Sequence, residues 1–400
     1  MGVSILNLLP RVAYVSTYPP RVCGIGTFTR DLARAVLMGD HVAENLVVAI
    51  DEEHGNRCYD TNVKFTIDQF NRESYLFAAN LLNTLDVDIV NLEHEYGIFG
   101  GEWGDYVLDF CRNVKMPLIS TFHTVLRNPP EKAREVLNEI AELSNAVVVT
   151  IESAARLLEK RFGVDAQKIR VIHHGAALPD RRHNKCAKRQ LGLQKRTVLA
   201  TYGLMNAGKG VEYAIESLSC LVKERPDLLF LVIGETHPDV RKREGEAYRN
   251  KLVSLTKRLK LDRHVRFINR YLNDDELSQY LQAVDIYLAP YLGKEQVSSG
   301  TLTLALGHGK AVVSTPTIFA KEILSNNRGL LCRFTDARSL AECVDRILGD
   351  RLLRRKLEMN AFKYGQEVGW TRIADQYGEI FRSAMRIRGT GSKATVVSET

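Results

Sequence analysis

Seven cysteines, an odd number, are scattered through 400 residues with no CxxC pair and no histidine at metal-ligand spacing. That pattern argues against a disulfide scaffold or a zinc site and fits a reduced, cytoplasmic protein whose cysteines serve packing. Long apolar runs are missing as well: no stretch approaches the roughly eighteen uncharged residues that a membrane span needs. The opening segment VSILNLLPRVAYVST has no charged lead, is broken by proline and carries no small-residue cleavage site, so it does not read as an export signal. A soluble chain, or one in peripheral contact with a membrane surface, is expected. One-sided charge is also lacking, since 55 Lys and Arg stand against 48 Asp and Glu for a net charge of +7. Spread over so large a surface, that imbalance favours anionic small molecules and points away from nucleic acid. Basic residues thicken at Arg181–Lys195 and at Arg241–Lys260, and in the second of these interleaved acids at helical spacing suggest a solvated helix face.

What is present is apolar material for more than one core, at 45% hydrophobic residues. Short β-branched runs (RVAYVST, NLVVAI, VDIVNLE, PLISTFH, NAVVVTI, IRVIHHG) alternate with amphipathic segments such as GTFTRDLARAVL and PPEKAREVLNEIAEL. Alternation of this kind means βαβ units and a parallel sheet covered on both faces. The rhythm restarts after Pro179–Lys195 with TVLATYG, LLFLVIG, VRFINR, VDIYLAP, AVVST and GLLCRF. The expected class is therefore α/β, with two doubly wound domains over 1–180 and 195–371. A last amphipathic helix is expected over 372–388, and a disordered tail over 389–400, where apolar periodicity stops.

Ligands of such sheets bind beyond the carboxyl ends of the strands, and the chemistry-bearing residues cluster there. After the first strand, Gly24 and Gly26 sit where a loop enters a helix, either as a plain turn or as a place where backbone approaches a ligand. The third glycine of a dinucleotide fingerprint is absent, which demotes a nicotinamide enzyme. NLEHEYGIFGGEWG offers Glu93 and Glu95 on one side of a strand and His94 on the other, suiting a polar sugar- or acceptor-binding loop better than a metal site. His123 closes the strand of STFHT, either as a buried structural histidine or as a side chain facing ligand. Lys209 lies in the glycine-flanked loop of YGLMNAGKG, where a cation could meet a phosphate, although Gly210 stands where a Walker loop needs Ser or Thr. Asp86 and Asp88 mimic a metal-binding DxD but open a strand at its far end. In EQVSSGTLTLALGHGKAVVST, Ser298, Ser299, Gly300 and Thr301 begin a short helix whose free N–H groups suit an anion.

The ordered set TYPPRVCGIGTF, STFHT, VIHHG, YGLMNAGKG, VIGETH, VRFINRYLNDDELSQYLQAVDIYLAP and EQVSSGTLTLALGHGKAVVST resembles family 4 of the retaining glycosyltransferases, over roughly residues 11–385. The resemblance implies the GT-B fold, in which two Rossmann-like domains face a cleft. It also implies a nucleotide-sugar donor held by the second domain, an acceptor held by the first, no metal or cofactor, and a final helix that crosses back onto the N-terminal domain. Gly24 and Gly26 match the family's glycine loop beside the donor phosphates, His123 its histidine near the transferred sugar, and Lys209 the lysine that neutralises the diphosphate. The chain departs from the pattern as an atypical subgroup would. Leu204 stands where an arginine is usual, and Gln296 and Leu304 occupy the places of the paired glutamates, with Glu295 adjacent to the first. The expected activity is hexosyl transfer from a GDP- or UDP-linked hexose to a carbohydrate or lipid-linked acceptor. His123, Lys209 and Glu295 are its candidate catalytic residues; Gly24, Gly26, Ser299, Gly300 and Thr301 would bind phosphate, and Glu93, Glu95, Gln296 and Ser298 the sugar or acceptor. A disaccharide phosphorylase using phosphate or a sugar 1-phosphate is the alternative, followed by a carbohydrate-binding protein that has lost turnover. Oligomeric state is left open.

Overall fold

A computed structural model describes residues 9–52, 57–179 and 187–391, with 387–391 described by backbone alone. The chain divides into two compact units, one running through Gly175 and resuming at Trp370, the other spanning Ala176–Gly369. The expected joint at 179–195 thus lies later than the observed division. Ala176 already belongs to the second unit, its N–H donating to the Val368 carbonyl at 2.9 Å. Residues 180–186 of the basic linker lie outside the described residues.

The first unit begins with β1 (Arg11–Ser16), α1 (Gly24–Met38), β2 (Glu44–Asp51), β3 (Val63–Asp68), α2 (Arg72–Leu82) and β4 (Ile89–His94). It continues through α3 (Val107–Asn113), β5 (Leu118–Phe122), α4 (Glu131–Leu143), β6 (Ala146–Val149), α5 (Glu152–Leu157) and β7 (Ile169–Val171). The seven strands are parallel in the order β3-β2-β1-β4-β5-β6-β7. Every residue of β4, β5 and β6 is buried, as in a parallel sheet covered on both faces, and this includes the polar Asn91, Glu93 and His94 of β4 and Ser120 and Thr121 of β5. On one face the core is closed by Phe28, Leu32 and Val36 of α1 and by Ile373, Tyr377 and Phe381 of a helix from the far end of the chain.

The second unit comprises α6 (Ala187–Gln190), β8 (Thr197–Tyr202), α7 (Val211–Leu221), β9 (Leu228–Ile233), α8 (Pro238–Glu244), α9 (Ala247–Arg258), β10 (Val265–Ile268) and α10 (Asp274–Ala283). It goes on with β11 (Ile286–Ala289), α11 (Gly300–Gly307), β12 (Ala311–Ser314), α12 (Ile318–Ile323), β13 (Gly329–Leu331), α13 (Ala337–Gly349) and α14 (Arg351–Glu367). Its six parallel strands lie in the order β10-β9-β8-β11-β12-β13. In each sheet the order reverses beside the first strand, at β1/β4 and at β8/β11, and such a switch point leaves a crevice at the strands' carboxyl ends.

The chain closes with α15 (Trp370–Gly391), part of the first unit. The helix therefore starts before the expected 372 and includes residues 389–391 of the expected tail; residues 392–400 lie outside the described residues. Arg241–Lys260 also differs from a single solvated helix. Gly245, at φ +60°, separates α8 from α9, and Arg249 is buried. Among the described residues no helix is long and apolar enough to cross a membrane.

Candidate functional site

In the first unit, parallel register sets Glu93 of β4 beside Thr121 of β5, and His123 follows β5 directly. The His123 Nε2 lies 2.8 Å from Glu93 Oε2. Asn91 Nδ2 donates to the other carboxylate oxygen at 2.6 Å, and Thr121 Oγ1 does so at 3.4 Å. Glu93 is 0% exposed and His123 4%. The expectation of Glu93 at a sugar or acceptor is corrected here: its carboxylate is enclosed, and its three donors are protein groups. Glu95 diverges from it because β4 ends at His94. Its carboxylate accepts from Thr124 Oγ1 at 2.6 Å and from the N–H of Tyr96 at 3.0 Å, capping a short 3₁₀ turn. Burial pushes the Glu95 carboxyl above the ordinary carboxylate range.

His94, on the opposite side of the strand, is surrounded by Tyr96, Phe99 and Phe122 at ring-centroid distances of 5.0, 5.7 and 5.4 Å. Neither of its nitrogens has a hydrogen-bond partner among the described residues, and burial, with a smaller push from His123, takes the ring down to about 3. The edge of Phe28 in α1 meets both His123 and His174 at 4.9 Å. Gly24 opens α1, and a Cβ there would meet nothing within 4 Å, leaving its backbone accessible to a ligand. Gly26 acts differently: a Cβ would lie 3.2 Å from the Thr17 carbonyl carbon and the Tyr18 nitrogen, so its bareness lets α1 pack on the β1 loop. Asp88 accepts from the Arg11 N–H at 2.9 Å and Asp86 pairs with the Arg11 guanidinium, as strand-entry residues would.

In the second unit the switch-point strands bring two loops together. Gly203 follows β8 at φ +123°, a conformation that favours glycine. A Cβ on it would stand 3.2 Å from Thr301 Cγ2 and 3.3 Å from Lys209 Nζ. Lys209 Nζ also lies 4.8 Å from the centre of the Tyr291 ring, within cation–π reach, and among the described residues no carboxylate pairs with it. Tyr291 and Thr301 are joined through their hydroxyls, and Ser299 Oγ is 3.2 Å from Thr301 Oγ1. Burial by itself would raise the Tyr291 phenol, but the Lys209 ammonium and the Thr301 hydroxyl more than offset it and hold the phenol below the ordinary tyrosine range. Ser299 caps α11, its hydroxyl accepting from the Leu302 N–H at 3.3 Å. Of the other sequence candidates of this loop, Gln296 Nε2 donates to the Ser298 carbonyl at 2.8 Å, and Glu295 is half-buried upstream of it. No acid occurs in α11, and Leu304 is half-buried within it.

The loop after β9, which begins at Gly234 within the VIGETH segment, packs beside this group. A Cβ on Gly234 would strike the Gly203 carbonyl, Arg249 Nη2 donates to the Gly234 carbonyl at 2.7 Å, and the Met205 N–H donates to Glu235 at 2.8 Å. Arg241 meets both Glu246 at 2.9 Å and Glu235 at 3.2 Å. Tyr291 was not among the sequence candidates; its position just after Pro290, past the end of β11, was the available signal.

Residues 22–178 match the sequence model "Glycosyltransferase Family 4", and residues 184–364 match "Glycosyl transferases group 1". The chain is a GT-B glycosyltransferase of the family 4 type. Among curated relatives, the D-inositol 3-phosphate glycosyltransferase of Nocardia farcinica is 24% identical over 319 residues, spanning 74% of this chain and 67% of that protein. The enzyme of the same name from Streptomyces bingchenggensis is 22% identical over 68% of this chain and 62% of its own. The chain thus spans about two thirds of these glycosyltransferases' length. Of solved structures, sucrose-phosphate synthase from Thermosynechococcus elongatus superposes with a TM-score of 0.77 at 18% identity, covering 94% of this chain and 100% of that one. HepE of Anabaena in complex with UDP and glucose gives 0.73 at 15% identity, with 94% and 100% covered. At such identities these structures establish the glycosyltransferase fold alone.

Proposed function

We propose that the protein is a retaining hexosyltransferase that takes a hexose from a nucleoside diphosphate sugar, the second unit holding the donor and the first the acceptor. The observation that carries this is the placement of Lys209 Nζ beside Gly203, close to Thr301 and without a carboxylate partner among the described residues, where β8, β11 and the start of α11 meet. An ammonium, three hydroxyls and a helix N-terminus converging there suit a diphosphate. Charge develops on the departing phosphate oxygen as the glycosidic bond breaks, and this group is aimed at stabilising it. No step in that account calls on a metal. The relatives' printed acceptor, an inositol phosphate, and the UDP, UDP-glucose and glucose bound by HepE support polyhydroxy substrates and a nucleoside diphosphate. Gly24 supplies open backbone in the first unit, and His123 meets a hydroxyl of the transferred sugar. Glu295 is the remaining acid near the helix start and the candidate to orient that sugar.

Leu304 favours a second reading. Without an acid on α11 to take ribose hydroxyls, the same anion site would serve a phosphorylase that uses inorganic phosphate or a sugar 1-phosphate. Thermal shift of the purified chain with UDP, GDP, ADP, glucose 1-phosphate and inorganic phosphate separates the two. A ligand at a hundred times its dissociation constant adds about 2.7 kcal/mol of stability. Stabilisation by one nucleoside diphosphate supports the transferase; a response confined to phosphate or sugar phosphate overturns it in favour of the phosphorylase.

A further inference from the structure

His123 is held from behind by a chain of hydrogen bonds that ends in the last helix. Glu93 Oε2 is 2.8 Å from His123 Nε2, and a carboxylate can only accept, so Nε2 carries the proton. Thr121 Oγ1 donates its one proton to Glu93 Oε1 at 3.4 Å. The 2.9 Å contact between Thr121 Oγ1 and Tyr377 OH is then a bond donated by the tyrosine. Tyr377 is 1% exposed and lies 256 residues downstream on α15. The same helix touches the site a second time, where Trp370 meets Phe28 at 5.4 Å, the ring whose edge packs on His123. With Nε2 engaged, Nδ1 is the nitrogen without a partner among the described residues, and in this tautomer it is an acceptor.

We infer that Glu93 and Tyr377 are positioning residues, which fix His123 in the Nε2-protonated tautomer so that Nδ1 presents a hydrogen-bond acceptor to a hydroxyl of the transferred sugar. The inference rests on the transferase reading for its ligand, but not for its geometry. An imidazole free to exchange tautomers would offer a donor there part of the time, and a donor cannot meet a sugar hydroxyl's proton. Binding energy realised only in the reacting complex would fall accordingly.

The test labels histidine with ¹⁵N in the full chain and records long-range ¹H–¹⁵N correlations, assigning His123 by its loss in His123→Gln. Wild type is expected to show a pyrrole-like Nε2 and a pyridine-like Nδ1. Glu93→Leu, which removes the acceptor, is expected to give a tautomer mixture and to lower kcat for UDP-glucose about tenfold to a hundredfold, with KM changed by less than about threefold. Glu93→Gln, which still accepts, should recover part of both. If Glu93→Leu does not fold, Tyr377→Phe keeps the ring and removes only the hydroxyl, and a change in His123 Nε2 shift with lowered kcat is expected. A wild-type His123 protonated at Nδ1, or ¹⁵N shifts and kcat unchanged in both Glu93→Leu and Tyr377→Phe, overturns the inference. Correct tautomers alongside no turnover or stabilisation by any nucleotide sugar would instead sink the transferase reading and leave the relay standing.

Discussion

Lys209 and His94 are both polar groups packed against aromatic rings, and they differ in whether a ligand could complete them. The Lys209 ammonium rests on the face of Tyr291 with hydroxyls beside it and no carboxylate among the described residues. A charge-assisted bond to a phosphate is worth about 1.5–3 kcal/mol, so Lys209→Ala is expected to weaken UDP or GDP binding roughly tenfold or more and to depress turnover at least as much. Calorimetric titration of the nucleotide and initial rates check this, and wild-type rates in the variant would remove the phosphate role. His94 has no such completion. Its neutral ring is enclosed by three aromatic residues, with its ionisation taken down to about 3, while an unfolded histidine protonates near 6.5. Below about pH 6.5 the unfolded state binds a proton that the folded state refuses, so stability falls as pH drops from there toward 3. His94→Phe removes that term. The variant should lose less of its Tm than wild type between pH 7 and pH 5, which calorimetry at the two pH values would show.

At the scale of elements, the anion site depends on where α11 lies, and α11 is set by a close crossing with α14. A Cβ on Gly365 of α14 would sit 2.8 Å from the Gly307 Cα of α11, so the helices touch through backbone. Gly365→Val should push α11 away, costing about 1–3 kcal/mol by overpacking and displacing Ser299 and Thr301 from Lys209. Lower Tm together with weaker nucleoside diphosphate binding is expected; lower Tm with intact binding would mean that α11 does not move. The strand-turn-helix of EQVSSGTLTLALG was legible because small hydroxyl residues ahead of an apolar run signal a helix start. The crossing was not, because a lone glycine in a helical pattern does not say what approaches it. Glu93 was misread for a related reason. Strand alternation gives the side a residue faces, but its partner comes from the neighbouring strand, and the alternation stopped at His94, one residue short of Glu95. Arg249 looked solvated because its neighbours are charged; its burial follows from a break at Gly245 that sends α9 inward.

For the whole molecule, the sequence rhythm disclosed two parallel sheets, whereas the sharing of one core by distant segments was visible only as a final amphipathic stretch. That stretch contributes Ile373, Tyr377, Ile380 and Phe381 to the core of the first unit, all at most 8% exposed. At about 1.5–3 kcal/mol for each large apolar side chain buried, their loss approaches the entire 5–15 kcal/mol by which a domain is typically stable. Ending the chain after Gly369 is therefore expected to unfold the first unit while leaving the second, whose own core contains no α15 residue, able to fold. Hydrogen exchange resolved by peptide would show rapid exchange in β1, β4 and β5 and protection in β8, β9 and β11. Protection of β1 and β4 in the truncated chain would mean that α1 alone can cover that face, and that α15 contributes the Tyr377 hydroxyl to the His123 relay without being needed for the fold.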